Sequence, residues 1–208
     1  MRLRLAQYFL LAIAIVCLGF YGYSYLERVL YQTYESREFD RTPDRMAVAV
    51  DASRIVRSPR KSVSRLQPPT TLIGRLSVPR LHLSAMVREG IDRNTLQLAV
   101  GHIPATALPG HTGNVGVAGH RDTFFRGLKD VRAKDEIEFS TLGGDFQYVV
   151  ESLMVVEPDN VAVLAASSEN VLTLVTCYPF SFIGAAPKRF VVRARQVSPP
   201  TAPPSTVE

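Results

Sequence analysis

The stretch Val171-Leu172-Thr173-Leu174-Val175-Thr176-Cys177-Tyr178-Pro179 decides how the rest of the chain is read. Its apolar and β-branched residues run without a charge, and Pro179 removes a ladder donor two residues after Cys177. The segment therefore reads as a buried strand that stops at its cysteine. A thiol at the last residue of a strand sits on a sheet rim, where it is either a buried structural residue or a reactive one. A second strand, Arg189-Phe190-Val191-Val192-Arg193-Ala194-Arg195, begins twelve residues beyond Cys177. In an antiparallel pair joined by that loop, the first residue of the second strand lies beside the last of the first. Arg189 then falls next to Cys177, with Arg193 and Arg195 farther down. A cation at that place favours a thiolate or holds a developing oxyanion, and a solvated arginine is the plainer alternative.

Upstream, Val115-Gly116-Val117-Ala118-Gly119 is a shorter strand-like run that ends at His120. Glycines in a strand permit close backbone approach or a bulge, which aims the next side chain across a groove. Asp122 suits a turn or a helix cap before Thr123. The competing histidines are less well placed. His82 alternates with leucines, and His102 and His111 flank Pro104 and Pro109 in what reads as a loop.

Outward from these runs the texture is of short strands broken by turn residues. Strands are expected at 72–78, 85–89, 114–118, 136–140, 147–156, 171–176 and 189–195, with helical pieces at 93–100, 123–128 and 160–166. Many short strands with irregular connections over about 125 residues point to an all-β sandwich or closed barrel.

The formal net charge of +5 bears on partners only through its location. Residues 71–208 hold 13 basic and 13 acidic side chains, and the excess lies in residues 1–70, with 11 against 6. A nucleic-acid module carries its positive charge on the folded domain, so no nucleic-acid partner is expected. The two cysteines, Cys17 and Cys177, sit in an apolar N-terminal run and in the candidate domain. A disulfide between them is excluded on geometry, and no paired-cysteine zinc motif exists, so neither metal nor cofactor is expected.

Residues 5–26 are uncharged. As a helix this run extends about 33 Å, enough for a hydrocarbon core of roughly 30 Å. Arg2 and Arg4 precede it, and Tyr21, Tyr23 and Tyr25 crowd its far end like an interfacial belt. A cleaved signal peptide has a shorter apolar part and a small-residue cleavage site, so an uncleaved anchor contacting the lipid bilayer fits better. The basic flank keeps the N-terminus cytoplasmic and exports the chain beyond the span. Residues 27–70 read as an extracytoplasmic tether, helical up to about residue 52 and then polar and proline-punctuated. The tail 198–208 is proline-rich and expected to be disordered.

A strand-end histidine, a strand-end cysteine and an arginine opening the next strand, in this order, resemble the sortase family. The residues that carry the resemblance are Gly119-His120-Arg121-Asp122 with Phe125, then Thr173-Leu174-Val175-Thr176-Cys177, then Arg189-Phe190-Val191-Val192. Gly101-His102-Ile103-Pro104 and Leu108-Pro109-Gly110 look like the family's preceding loop, whereas His111 matches nothing in its pattern. The Thr-Cys-Tyr-Pro-Phe stretch is similar to class D, with class E next. The resemblance covers about residues 71–197 and implies a catalytic domain there, a closed eight-stranded β-barrel behind one transmembrane helix. It implies a cysteine transpeptidase that cleaves an LPxTG-like C-terminal sorting signal on secreted proteins and passes the acyl group to an acceptor amine, usually of a cell-wall precursor. Cys177 is then the nucleophile, His120 the acid-base group and Arg189 the cation for substrate or oxyanion. Thr176 and Tyr178, flanking the cysteine, are expected at the substrate. A hydrolase with the same residues and a non-catalytic wall-binding barrel are the rival classes, and a peptide assay with and without added amine separates them.

If residues 5–26 are an uncleaved anchor, the protein resists carbonate extraction and its domain is cut by protease added outside intact cells. Recovery of a soluble form lacking the first 26 residues would mean a cleaved signal peptide instead.

Overall fold

A computed structural model of the chain describes residues 2–52, 72–182 and 184–197. The proline-punctuated stretch 57–70 and the tail 198–208 lie outside the described residues. Eight strands arise from the alternating runs: β1 (Leu72–Val78), β2 (Leu83–Glu89), β3 (Val100–His102), β4 (Gly113–Ala118), β5 (Glu136–Thr141), β6 (Gly144–Val156), β7 (Asn170–Tyr178) and β8 (Lys188–Gln196). They close into one barrel in the order β1-β2-β3-β4-β7-β8-β6-β5. Closure leaves no free sheet edge in this ring. Neighbours are antiparallel except β2 with β3 and β4 with β7, which are parallel.

Alternation along each strand sends one set of side chains inward. Leu76, Val78, Phe139, Tyr148, Leu174 and Val192 are each at most 1% exposed in the barrel interior. Burying such side chains contributes roughly 1.5–3 kcal/mol apiece. Tyr148 shows the depth of this interior, since burial pushes its hydroxyl pKa up to about 12.

Seven of the eight strands lie where the alternating runs are, and β3 is the addition. The helix expected over 93–100 is a shorter α2 (Arg93–Leu98), started by Asp92, whose carboxylate accepts from the amides of Asn94 at 3.0 Å and Thr95 at 3.1 Å. The chain then turns extended, because Val100–His102 fills the gap between β2 and β4. Three residues are too few to show a period, so this strand exists only through its neighbours. The helices expected over 123–128 and 160–166 are single 3₁₀ turns, at Arg126–Asp130 and Val161–Leu164, neither with a side-chain cap.

Helix α1 (Arg2–Ala52) runs 51 residues without a break. Its Gln7–Arg37 part is long and apolar enough to cross a membrane, and none of its most apolar window is buried in the protein. Its later part, over residues where a helix is expected up to about residue 52, docks on the barrel. Gln32 donates to the Leu98 carbonyl at 2.7 Å and accepts from the Met86 amide at 2.9 Å. Arg75 pairs with Asp40 at 2.9 Å, and Phe39 is only 8% exposed. These contacts bind main-chain groups that no ladder uses, which is why the helix seats there.

One ion pair staples the start of β5 to the turn after β1. Both oxygens of the buried Asp135 accept from Arg80, at 2.5 Å and 2.6 Å, and one also accepts from the Arg132 amide at 2.8 Å. The Arg80 hydrogen bonds hold the Asp135 carboxyl below its ordinary range. Stability from a lowered carboxyl is present above the unfolded pKa of about 3.9 and is lost as pH falls through the folded value. Asp135→Asn should therefore lower Tm by several degrees at pH 7, with the gap to wild type closing below about pH 4, as read by thermal melts across pH. A gap of constant size at all pH values would mean that the charge is not what the pair contributes.

Candidate active site

Three strands of the barrel bring the sequence-selected residues together. On β4, β7 and β8 the inward positions are occupied by Val115, Val117, Leu172, Leu174, Val192 and Ala194 of the core. The alternate residues, Gly116 and Ala118, Thr173, Val175 and Cys177, Arg189, Val191 and Arg193, therefore take the outer face. Cys177 stands directly opposite Arg189 in the β7–β8 ladder. Opposed residues in an antiparallel pair share a face, with Cα atoms about 4.5–5.5 Å apart. On the other side, β4 runs parallel to β7 with Ala118 opposite Val175. Two bonds carry that register past the end of β4: the Gly119 amide donates to the Val175 carbonyl at 3.1 Å, and the Thr176 hydroxyl donates to the Gly119 carbonyl at 2.7 Å. These bonds bring the chain at His120 to the level of Cys177. The end of β7, the start of β8 and the turn two residues past β4 thus carry a row of positions, Cys177, Arg189 and His120, at one end of the barrel.

Gly119 is needed immediately before that histidine. A Cβ there would lie 2.7 Å from the ring of Phe125, a fully buried core residue. The turn returns to the same point, since the amides of Thr123 and Phe125 both donate to the His120 carbonyl, at 3.3 Å and 3.1 Å. His120 is exposed, while Cys177 and Arg189 are half-buried. The Arg189 guanidinium rests on the carbonyls of Ala186 at 3.3 Å and Lys188 at 3.1 Å. Weak neutral acceptors of this kind leave the cation free to swing toward a charge.

The other half of the outer face is roofed. Ile103, Thr106 and Leu164 lie over Gly116, at 3.0–3.3 Å from where its Cβ would stand. The buried Asn114 pins the roof by donating to the carbonyls of Val163 at 3.0 Å and Ala165 at 3.2 Å, and it accepts from Thr173 at 2.7 Å.

Thr176 and Tyr178, expected at the substrate, alternate with Cys177 along β7. Thr176 is 2% exposed with its hydroxyl spent on Gly119, and Tyr178 packs with Phe180 and Phe190 at ring separations of 6.1 and 6.2 Å. Successive side chains on a strand point to opposite faces, so the two neighbours of Cys177 point away from the face that Cys177 takes. Thr176 ties the His120 strand to the Cys177 strand instead.

The remaining histidines are accounted for. His82 is an exposed residue at positive φ (49°) ending a turn. His102, expected in a loop, is buried in β3, with Nδ1 against the Glu89 carboxylate at 2.7 Å and Nε2 against the Ala107 carbonyl at 2.9 Å. His111 is exposed in a turn. Arg193 and Arg195 lie farther along β8, where Arg195 pairs with Glu151 at 2.6 Å and Glu169 at 3.3 Å.

Sequence reading missed Arg121. It is 6% exposed and donates to three carbonyls of the β7–β8 loop: Pro179 at 2.7 Å, Phe182 at 2.5 Å and Gly184 at 3.1 Å. Hydrogen bonds from a charged donor are worth roughly 1.5–3 kcal/mol each. This residue therefore fixes the loop between Cys177 and Arg189 to the turn that carries His120. Among the described residues no cluster of three or more His, Cys, Asp or Glu is arranged to hold a metal.

The description "Sortase domain" belongs to the family model that matches residues 76–197, more than half of the chain. Sortase D of Bacillus subtilis (strain 168) is 32% identical over 126 residues, which are 60% of this chain, and the chain spans 64% of that relative's length. Among solved structures, a Clostridium perfringens Sortase D5 transpeptidase superposes with a TM-score of 0.61, covering 83% of this chain and 99% of that one. At 22% identity that likeness speaks for the fold. Sortase A from Corynebacterium diphtheriae has a TM-score of 0.59 at 30% identity, covering 64% of this chain and 63% of that one. The closed barrel and the family model agree, and the chain belongs to the sortase family.

Proposed function

We propose that the chain is a membrane-anchored cysteine transpeptidase. On this reading it cleaves an LPxTG-like sorting signal after its threonine and transfers the new carboxyl end to an acceptor amine, usually of a cell-wall precursor. The observation that supports the reading is the pairing of Cys177 with Arg189 across β7 and β8, at the end of the barrel where the chain leaves β4 two residues before His120. Nothing in the packing of a barrel requires these three groups at one end of it.

The chemistry derives from their positions. Cys177, as the thiolate, adds to the threonine carbonyl, and the negative charge gathers on the carbonyl oxygen. Arg189 turns from its loop carbonyls to that oxygen, because a full charge outcompetes neutral acceptors. The tetrahedral species collapses by expelling the glycine amine, which takes its proton from His120. A thioester to Cys177 remains. The acceptor amine adds to it and gives one proton to His120, the new amide forms, and Cys177 leaves as the thiolate beside a protonated His120. Because the leaving group and the acceptor are both amines, one imidazole serves both halves.

With a suitable peptide and no acceptor, intact-mass analysis should show wild-type protein carrying the peptide minus its post-threonine part. Added amine should discharge that adduct into ligated product, and Cys177→Ala should form no adduct. His120→Ala should lose at least about a hundredfold in turnover. Arg189→Lys should lose a comparable factor, since a point charge does not replace a two-pronged donor. Near-wild-type rates in either variant would remove that residue from the mechanism. An unmodified wild-type mass across a panel of LPxTG-like peptides, with a thiol also inert to alkylation, would leave a fold without its chemistry.

A further inference from the structure

We infer that the end of the barrel carrying His120, Cys177 and Arg189 rests in the headgroup layer of the bilayer that holds α1. The inference builds on the anchor and on the catalytic reading above, and it comes from strand direction. Along α1, contacts to the barrel climb in order. Asp40 and Ser36 hold Arg75, Gln32 holds Met86 and Leu98, and Arg28 donates to the Gln97 carbonyl at 3.3 Å. Closer to the span, Tyr21, Tyr25 and Arg28 share a cavity of about 430 Å³ with the 81–84 turn and with Asp122, Thr123 and Phe124. The Arg28 guanidinium lies 5.8 Å from the Phe124 ring centre. Thus β1 runs toward the membrane from Arg75 to the turn after Val78.

Pairing then assigns a direction to every other strand. β2 is antiparallel to β1 and leaves the membrane end, and β3 is parallel to β2 and leaves it too. β4 is antiparallel to β3 and returns, and β7 is parallel to β4 and returns with it. β8 is antiparallel to β7 and starts there. The close of β4, the close of β7 and the opening of β8 are therefore all at the membrane end, and these are the positions of His120, Cys177 and Arg189.

Height is set by helix geometry. A span of about 20 residues covers the hydrocarbon core, so one beginning near residue 5 ends near residue 24. Barrel residues already line a cavity with Tyr21 and Tyr25, at and just inside that limit. A headgroup layer is only roughly 5–7 Å deep on each side. The 81–84 turn and residues 122–124 have nowhere to lie except in that layer. The partner of this surface is the lipid headgroups, and the row opens at their level.

The sequence contains no tryptophan, so a single introduced indole reports its own depth. The full chain carrying Phe124→Trp is reconstituted in phosphatidylglycerol–phosphatidylcholine vesicles containing a headgroup-nitroxide lipid. A second protein carries Leu142→Trp instead, in the β5–β6 turn at the opposite end, where Leu142 is 42% exposed. The Phe124→Trp emission should fall by about half or more, because its indole lies within a layer of roughly 5–7 Å with the quencher. The Leu142→Trp emission should hardly change. Adding Gln32→Ala and Arg75→Ala to the Phe124→Trp protein should relieve much of the quenching by loosening the helix from the barrel. Proteins that float with vesicles but show equally weak quenching at both positions would overturn the inference and leave the anchor standing. Proteins that fail to float at all would overturn the anchor and the inference together, while the catalytic reading keeps its own mass-spectrometric test.

Discussion

The register of β7 between its two neighbours holds the site in place. This strand is parallel to β4 on one side and antiparallel to β8 on the other, in register with β4 from Asn170 to Val175 and with β8 from Val171 to Tyr178. A slip of one residue against either neighbour would carry His120 or Arg189 to the opposite face, because side chains alternate with a period of two. The core prevents such a slip. Leu172 and Leu174 are fully buried, and a slip would exchange them with Thr173 and Val175. The apolar interior thus fixes the register on which the outer face depends.

Polar pairs make the same register specific. Thr173 with Asn114, and Thr176 with the Gly119 carbonyl, each join β7 to β4 through a buried bond, at 2.7 Å in both cases. A buried hydroxyl or amide left unpaired costs about 1–3 kcal/mol, so both pairs penalise any other alignment. The second pair lies immediately before His120 and Cys177 on their strands. Arg121 extends the same logic to the loop beyond Cys177, where three carbonyls would otherwise lack their cation. Precision at the row is therefore supplied by groups that take no part in the proposed reaction.

Helix α1 links this construction to a position in space. A flexible spacer would leave the barrel free to face any direction, and a polar, proline-bearing stretch of sequence begins at residue 57. The helix instead passes along β1, β2 and α2 before that stretch begins, and binds main-chain groups of Met86, Gln97 and Leu98. An arginine–aromatic series accompanies it, Arg28 over Phe124, Arg88 over Tyr31 and Arg75 over Phe39, at 5.8, 5.2 and 5.5 Å. Cations placed over rings at this distance favour one seating of the helix over others.

Before folding is considered, the chain discloses only its local features. An uncharged run of helical length, strands ending at His120 and Cys177, and a strand opening at Arg189 are each written in adjacent residues, so composition and period reveal them. The alternation that turns Thr176 and Tyr178 to the other face of the strand from Cys177 is equally local. Other features arise only through long-range pairing. β3 has three residues and no pattern of its own, and it becomes a strand because β2 and β4 leave a gap. Arg121 reaches partners 58 to 63 residues away, and Gln32 reaches Leu98 across 66, so no window of sequence contains both ends. Closure of the barrel brings such distant groups to hydrogen-bonding distance, and only then is it decided which polar side chains position the row and which end of the barrel meets the membrane helix.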